Sequence, residues 1–166
     1  KEAIEYLRKK GLAKASKKTS REANEGAVGI YSNKEKVVII KVNSETDFAA
    51  KSDVFLNFLD ELGNIALEKN ITNINKEEFL SLKYNESTIS DLFNSMIAQI
   101  GENLILNDLL ILDNLKVNHN FYIHNSYKNN IGKIISLIQY QSDENNEEIK
   151  KLSKNLCMHI AAMRPD

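Results

Sequence analysis

The chain has one cysteine, Cys157, and one proline, Pro165, in 166 residues. A single thiol excludes a disulfide framework within the chain. Its histidines are three, His119, His124 and His159. No Cys/His cluster has the spacing of a structural zinc site, so no metal is expected. No apolar run is long enough to cross a bilayer, so no membrane partner is expected. The opening residues lack a signal-peptide pattern, although a removed presequence would leave no trace. Lys+Arg 22 against Asp+Glu 23 gives a formal net charge of -1. No global charge excess points to nucleic acid or an anionic membrane. No glycine-rich loop follows an expected strand, so no nucleotide is expected to bind directly and no cofactor is implied. No serine sits in a nucleophile elbow, and the paired carboxylates Asp60-Glu61, Glu77-Glu78 and Glu147-Glu148 read as solvated helix faces. The sequence does not argue for an enzyme.

What is present is a hydrophobic fraction of 42%, enough for a sizeable core. Asn, Ile and Lys together make 59 of the 166 residues, against only 3 Arg. That bias reads as AT-rich coding and bears on origin, not mechanism. Residues 1–21 are locally basic, with eight cations against Glu2 and Glu5. Ala3, Ile4, Leu7 and Leu12 predict a short amphipathic helix through residue 10, with Gly11 as its C-cap. The segment reads either as a solvated helix end and linker or as a contact for an acidic partner or RNA.

Val28, Ile30 and Val37-Val38-Ile39-Ile40 predict a hairpin across 26–42, turning at Ser32-Asn33-Lys34-Glu35. Val54, Phe55, Phe58, Leu59, Leu62, Ile65 and Ala66 predict a helix over about 53–69, capped by Ser52 or Asp53. Asn75 with Glu78 opens a short helix through Leu82. Thr88 opens another that ends at Gly101. Leu104 to Leu115 reads as extended and mostly buried. Phe121 to His124 and Ile131 to Tyr140 predict a second hairpin with a long polar loop. A last helix over about 145–163 carries Ile149, Leu152, Leu156, Ile160 and Met163 on one stripe. His159 and Cys157 beside that stripe read as packed structural side chains. The fold class is α+β, with two related halves, each an antiparallel hairpin or sheet backed by helices. The expected divisions are 1–21, the end of an N-terminal module and linker; 22–102, an N-terminal core subdomain; and 103–166, a C-terminal one.

The most unusual segment is the loop from Asn43 to Lys51, where Asp47 and Phe48 stand between a strand and a long helix. Thr46 or Asp47 could cap a short helix while Phe48 anchors the turn in the core. Alternatively Phe48 is an exposed apolar wedge and Asp47 its polar companion.

The string Val42-Asn43-Ser44-Glu45-Thr46-Asp47-Phe48-Ala49-Ala50-Lys51 resembles the signature of translation elongation factor Ts. Four further segments resemble that family in the same order: Arg8 to Lys18, Glu25 to Gly29, Ile100 to Leu104, and Met158 to Pro165. The resemblance implies a guanine nucleotide exchange factor for the GTPase elongation factor Tu, which binds its GDP or nucleotide-free form. It implies a partner surface of Thr46, Asp47, Phe48, Ile100, Gly101, His124 and Lys18. Phe48 would be inserted near the magnesium and phosphate site of the GTPase. The second hairpin supplies His124 to support the wedge, with Tyr127 as its rival. The N-terminal ubiquitin-associated-like module is represented at most by its last helix, and the chain reads as the core of a longer protein. Family members work in mitochondria, plastids and bacterial cytoplasm, and the compositional bias favours an organelle. An exposed sheet edge would admit a homodimer. The alternative is an RNA- or ribosome-associated module using residues 1–21, with salt-sensitive binding through Lys14, Lys17 and Lys18.

Overall fold

Two β-branched runs pair first. Strand β1 (Glu25–Ser32) and strand β2 (Lys36–Ser44) form an antiparallel hairpin in register from Glu25↔Ser44 to Ser32↔Val37. The Asn33 side chain closes the turn, accepting from Glu35 N and Lys36 N at 2.9 Å each. The computed structural model describes residues 18–68, 71, 74–113, 117–142 and 147–164. The basic helix expected through residue 10, its Gly11 cap and Pro165 lie outside the described residues.

A four-residue helix α1 (Asp47–Ala50) and the long helix α2 (Asp53–Glu68) follow β2. Ser52 caps α2, its Oγ accepting from Phe55 N at 3.3 Å. Helix α3 (Lys76–Ser81) opens on a reciprocal capping box between Asn75 and Glu78, both bonds 2.8 Å. A two-stranded turn, β3 (Lys83–Tyr84) with β4 (Ser87–Thr88), leads into helix α4 (Ile89–Ile100). Thr88 and Asp91 make the capping box of α4, and Gly101 ends it at φ 87. That left-handed backbone is the reason for glycine there.

Strand β5 (Leu104–Asp113) pairs with β2 from Ser44↔Leu104 to Lys36↔Asp113. It follows the expected boundary at 102/103, yet lies on the first hairpin's side of the sheet. The second hairpin is β6 (Asn118–Lys128) and β7 (Ile131–Tyr140). The long polar loop expected after His124 is instead strand, and the turn shrinks to Asn129-Asn130. β6 is an edge strand in which Asn125 and Ser126 stay in the ladder with exposed side chains, while the Lys128 side chain reaches Asn57 and Asp60 on α2. Near the turn Asn125 takes φ 49, and the register slips between Ser126↔Gly132 and Lys128↔Ile131. Tyr127 is the extra residue of that bulge.

The five strands form one sheet in the order β5-β2-β1-β7-β6. The ladder that joins its two hairpins, between β1 and β7, has only two register pairs, Val28↔Gly132 and Gly29↔Ile131. The class is α+β, with each hairpin backed by a helix. The faces differ: Ile131 joins the core under α2, whereas Ser136 donates from the same strand to the Cys157 carbonyl of helix α5 (Glu147–Met163) at 2.6 Å. An odd spacing along a strand puts these residues on opposite faces.

The main core lies under α2. Phe55, Phe58, Leu59 and Leu62 pack against Ala27, Tyr31, Val38, Ile40 and Val42, closed by Phe79, Ile89 and Phe93. Gly63 lets the Tyr31 ring lie against the helix backbone. A Cβ there would come within 2.2 Å of the ring. The last helix departs from the expectation. It seats on Ser153, Cys157 and Ala161, while Leu152, Leu156, Ile160 and Met163 are exposed. Small residues let α5 approach the sheet closely, and Ser153 and Cys157 bond into β6 through Asn120. Cys157 is buried and burial pushes its thiol pKa up, as a structural thiol requires. His159 is exposed beside Asn155, Met158 and Ala162, not packed in the core.

Candidate functional site

The site is a junction of two turns. One leaves β2 for α1; the other leaves α4 for β5. Pairing of Ser44 with Leu104 places them side by side. Thr46 holds both. Its Oγ1 accepts from Ala49 N at 3.2 Å, which caps α1, and donates to Glu102 Oε1 at 2.7 Å. Its own N–H donates to Glu102 Oε2 at 3.0 Å. The reverse tie comes from Glu45, whose Oε1 accepts from Asn103 N at 2.7 Å. Asn103 is buried and donates to the Arg21 carbonyl at 2.7 Å. Lys18 donates to the Gly101 carbonyl. The turn is therefore fixed from three segments of the chain.

On this support Phe48 is 82% exposed. The cap expected at Thr46 is present, but the aromatic ring is not in the core. Ala49 and Ala50 carry the helix's buried face instead. Asp47 pairs with Lys51 one turn on, at 2.8 Å. The Lys51 ammonium holds the Asp47 carboxyl below the usual carboxylate range, and the pairing raises Lys51 in turn. Beside Phe48, Ala49, Val54, Gln99 and Ile100 line a shallow hollow of about 300 Å³. The surface thus offers one projecting aromatic ring and an apolar depression, with a carboxylate already paired.

Thr46, Asp47, Phe48, Ile100, Gly101 and Lys18 converge here, as the sequence reading expects of a single surface. His124 does not. It pairs with Ile134, hence lies on the α5 face, where its Nδ1 is 3.4 Å from the Tyr122 hydroxyl and it borders Met158 and Ala161. Tyr127 reaches the site: the Lys51 ammonium sits 5.8 Å from its ring centroid. Glu45, Lys51, Glu102 and Asn103, which tie or border the turn, are not singled out by the sequence, although all four stand inside the two motifs that carry the resemblance. Among the described residues no group of three or more His, Cys, Asp or Glu could hold a metal ion. No helix among them is long and apolar enough to cross a membrane.

The described residues form an α+β sheet protein that presents an exposed aromatic ring on a turn tied by Thr46, Glu45 and Glu102. The family model described as Elongation factor TS matches residues 45–166. Elongation factor Ts of Methylobacterium sp. (strain 4-46) is 36% identical over 163 residues, 98% of this chain and 53% of that protein. Elongation factor Ts of Rhizobium etli (strain CFN 42) is 37% identical over 165 residues, 98% of this chain and 53% of its own length. That of Ehrlichia ruminantium (strain Welgevonden) is 37% identical over 162 residues, 97% of this chain and 56% of its own. The chain belongs to the elongation factor Ts family. It spans about half the length of these curated relatives.

Proposed function

We propose that the chain carries the core of a guanine nucleotide exchange factor for elongation factor Tu, with Phe48 as the wedge that promotes GDP release. The observation that carries this reading is the 82% exposure of Phe48 on a turn held by Thr46, Glu102 and Glu45. An exposed aromatic ring costs solvation in the free protein and repays it in a partner's apolar pocket. A rigid turn loses little entropy on docking. Asp47 borders the ring as a polar companion, and Ile100 lines the neighbouring hollow just before Gly101 ends its helix.

Exchange forms and breaks no covalent bond, so the chain acts as an exchange factor and not as an enzyme. The GDP-magnesium site of a GTPase is held by oxygen ligands and backbone N–H groups. A factor that prefers the nucleotide-free state must, by linkage, weaken GDP binding by the same ratio. The second hairpin contributes Tyr127 rather than His124, because Tyr127 lies against Lys51 while His124, three residues earlier on the strand, lies on the other face. The bacterial relatives favour bacterial cytoplasm over an organelle as the place of action.

The test is release of fluorescent GDP from elongation factor Tu in stopped flow. The wild-type chain accelerates release. Phe48→Ala, with its fold intact by circular dichroism, slows it by about thirty-fold, the scale of one interface hot spot. An unchanged rate in the folded variant removes the wedge.

A further inference from the structure

The two hairpins share a ladder of just two residue pairs, yet the candidate site draws on both. A polar cluster stands at this seam. Asp60, on α2, faces the turn of the second hairpin. Its Oδ1 accepts from the Tyr31 hydroxyl at 3.1 Å and from Asn130 Nδ2 at 3.2 Å. Its Oδ2 pairs with the Lys128 ammonium, which also donates to Asn57 Oδ1 at 3.0 Å. Asn130 is held again by its carbonyl, which accepts from Ile30 N at 2.9 Å. Asp60 thus grips β1 through Tyr31 and the β6–β7 turn through Lys128 and Asn130.

Tyr127 is the residue next to Lys128, and it is the bulged one. A bulge frees a side chain from the alternation of its strand, and its direction then depends on what fixes the residues beside it. Lys128 and Asn130 supply that fixation through Asp60. The half-buried Tyr127 ring then packs against the edge of the main core and meets Lys51, which pairs with Asp47. A continuous line runs from Asp60 through Lys128 and Tyr127 to Lys51 and the Asp47-Phe48 turn.

We infer that Asp60 is a positioning residue: it latches the second hairpin to α2 and so places Tyr127 against Lys51 beside the wedge. It touches no partner itself and acts through Tyr127. Its consequence for GDP release rests on the exchange reading above; the placement of Tyr127 does not.

Two readouts separate these. In the free protein, nuclear Overhauser contacts between the Lys51 side chain and the Tyr127 ring are expected in wild type and lost in Asp60→Ala. Persistence of those contacts in the variant overturns the latch, whether or not the chain acts on a GTPase. In GDP release from elongation factor Tu, Asp60→Ala slows the accelerated rate by about ten-fold, within the range of couplings carried through intervening residues. The same substitution made in a Tyr127→Ala background has no further effect, because both act along one line. An equal slowing in that background assigns Asp60 a merely structural role and overturns the inference. Lys128→Met leaves the Tyr31–Asp60 bond in place and gives the same pattern if Asp60→Ala does not fold. Absence of acceleration by the wild-type chain counts against the exchange reading alone, and the contact measurement then decides the latch.

Discussion

The two hairpins are backed by helices in opposite ways. Helix α2 presses phenylalanine and leucine side chains into the first hairpin and leaves polar residues in water. Helix α5 seats on serine, cysteine and alanine, and leaves Leu152 60% and Met163 75% exposed. Both helices have an apolar face at helical spacing. Only in α2 does that face coincide with the contact. The difference separates amphipathicity, which is a property of the strip of sequence, from burial, which depends on what stands opposite it. The two halves also differ in packing: the first carries the main core and the Phe48 turn, while the second joins it through a short ladder, polar bonds and the Ile131 and Tyr127 side chains.

Substitutions can break or sharpen that contrast. The largest effect is expected at Phe55 and Leu59, where truncation to alanine leaves a cavity in a closed core. Either variant loses about 3–5 kcal/mol of stability in urea unfolding. A loss below 1 kcal/mol would mean that α2 does not carry the core. Gly63→Ala comes next, at about 1–3 kcal/mol, because the new methyl group would come within 2.2 Å of the buried Tyr31 ring and force it to shift. Its near-ultraviolet circular dichroism changes with the displaced tyrosine. Thr46→Ala costs about 1 kcal/mol, the value of a lost N-cap, and removes one of the two bonds that tie the turn to Glu102. Proteolysis near Phe48 reports the loosened turn. Leu152→Gln stays within about 0.5 kcal/mol of wild type, as an exposed substitution should. A cost comparable to Leu59→Ala would erase the contrast between the two helices.

The smallest expected effect is electrostatic. Asp47 titrates below its ordinary value because its carboxylate accepts from Lys51. A folded-state pKa below the unfolded one stabilises the folded chain above the unfolded pKa, and that contribution disappears as pH falls through the folded value. The pair is exposed, so salt weakens it. A carboxyl carbon titration by nuclear magnetic resonance reads the shift, and Lys51→Met returns Asp47 toward the usual range. A titration midpoint unmoved by Lys51→Met would remove the pair from the Phe48 turn.

Much of the architecture was legible along the chain. The caps at Asn75 and Thr88 and the stop at Gly101 depend on neighbours three or four residues away, and local chemistry suffices to read them. The α2 core was legible for the same reason, since its period matches a helix over sixteen residues. The errors were all at long range or at an edge. β6 looked like strand and then loop, because polar residues on an edge strand carry no apolar alternation. The stripe on α5 looked like core, because period alone does not say which face meets the sheet. His124 pairs with Ile134 and so lies on the α5 face, three residues from Tyr127 on the other, and that face can be read only once the pairing of the sheet is known.

The sequence by itself determined the helices, their caps, the first hairpin and the motif that carries the family resemblance. Each follows from the preferences of short segments and from spacings that a reader can count. Tertiary structure alone decided that the turns at Thr46 and Gly101 lie together, that Phe48 projects and does not anchor, and that Tyr127, not His124, lies beside Lys51. Those outcomes rest on pairings fifty or more residues apart, such as Thr46 with Glu102 and Asp60 with Lys128. Their partners become neighbours only when the sheet closes, and no local propensity encodes that distance.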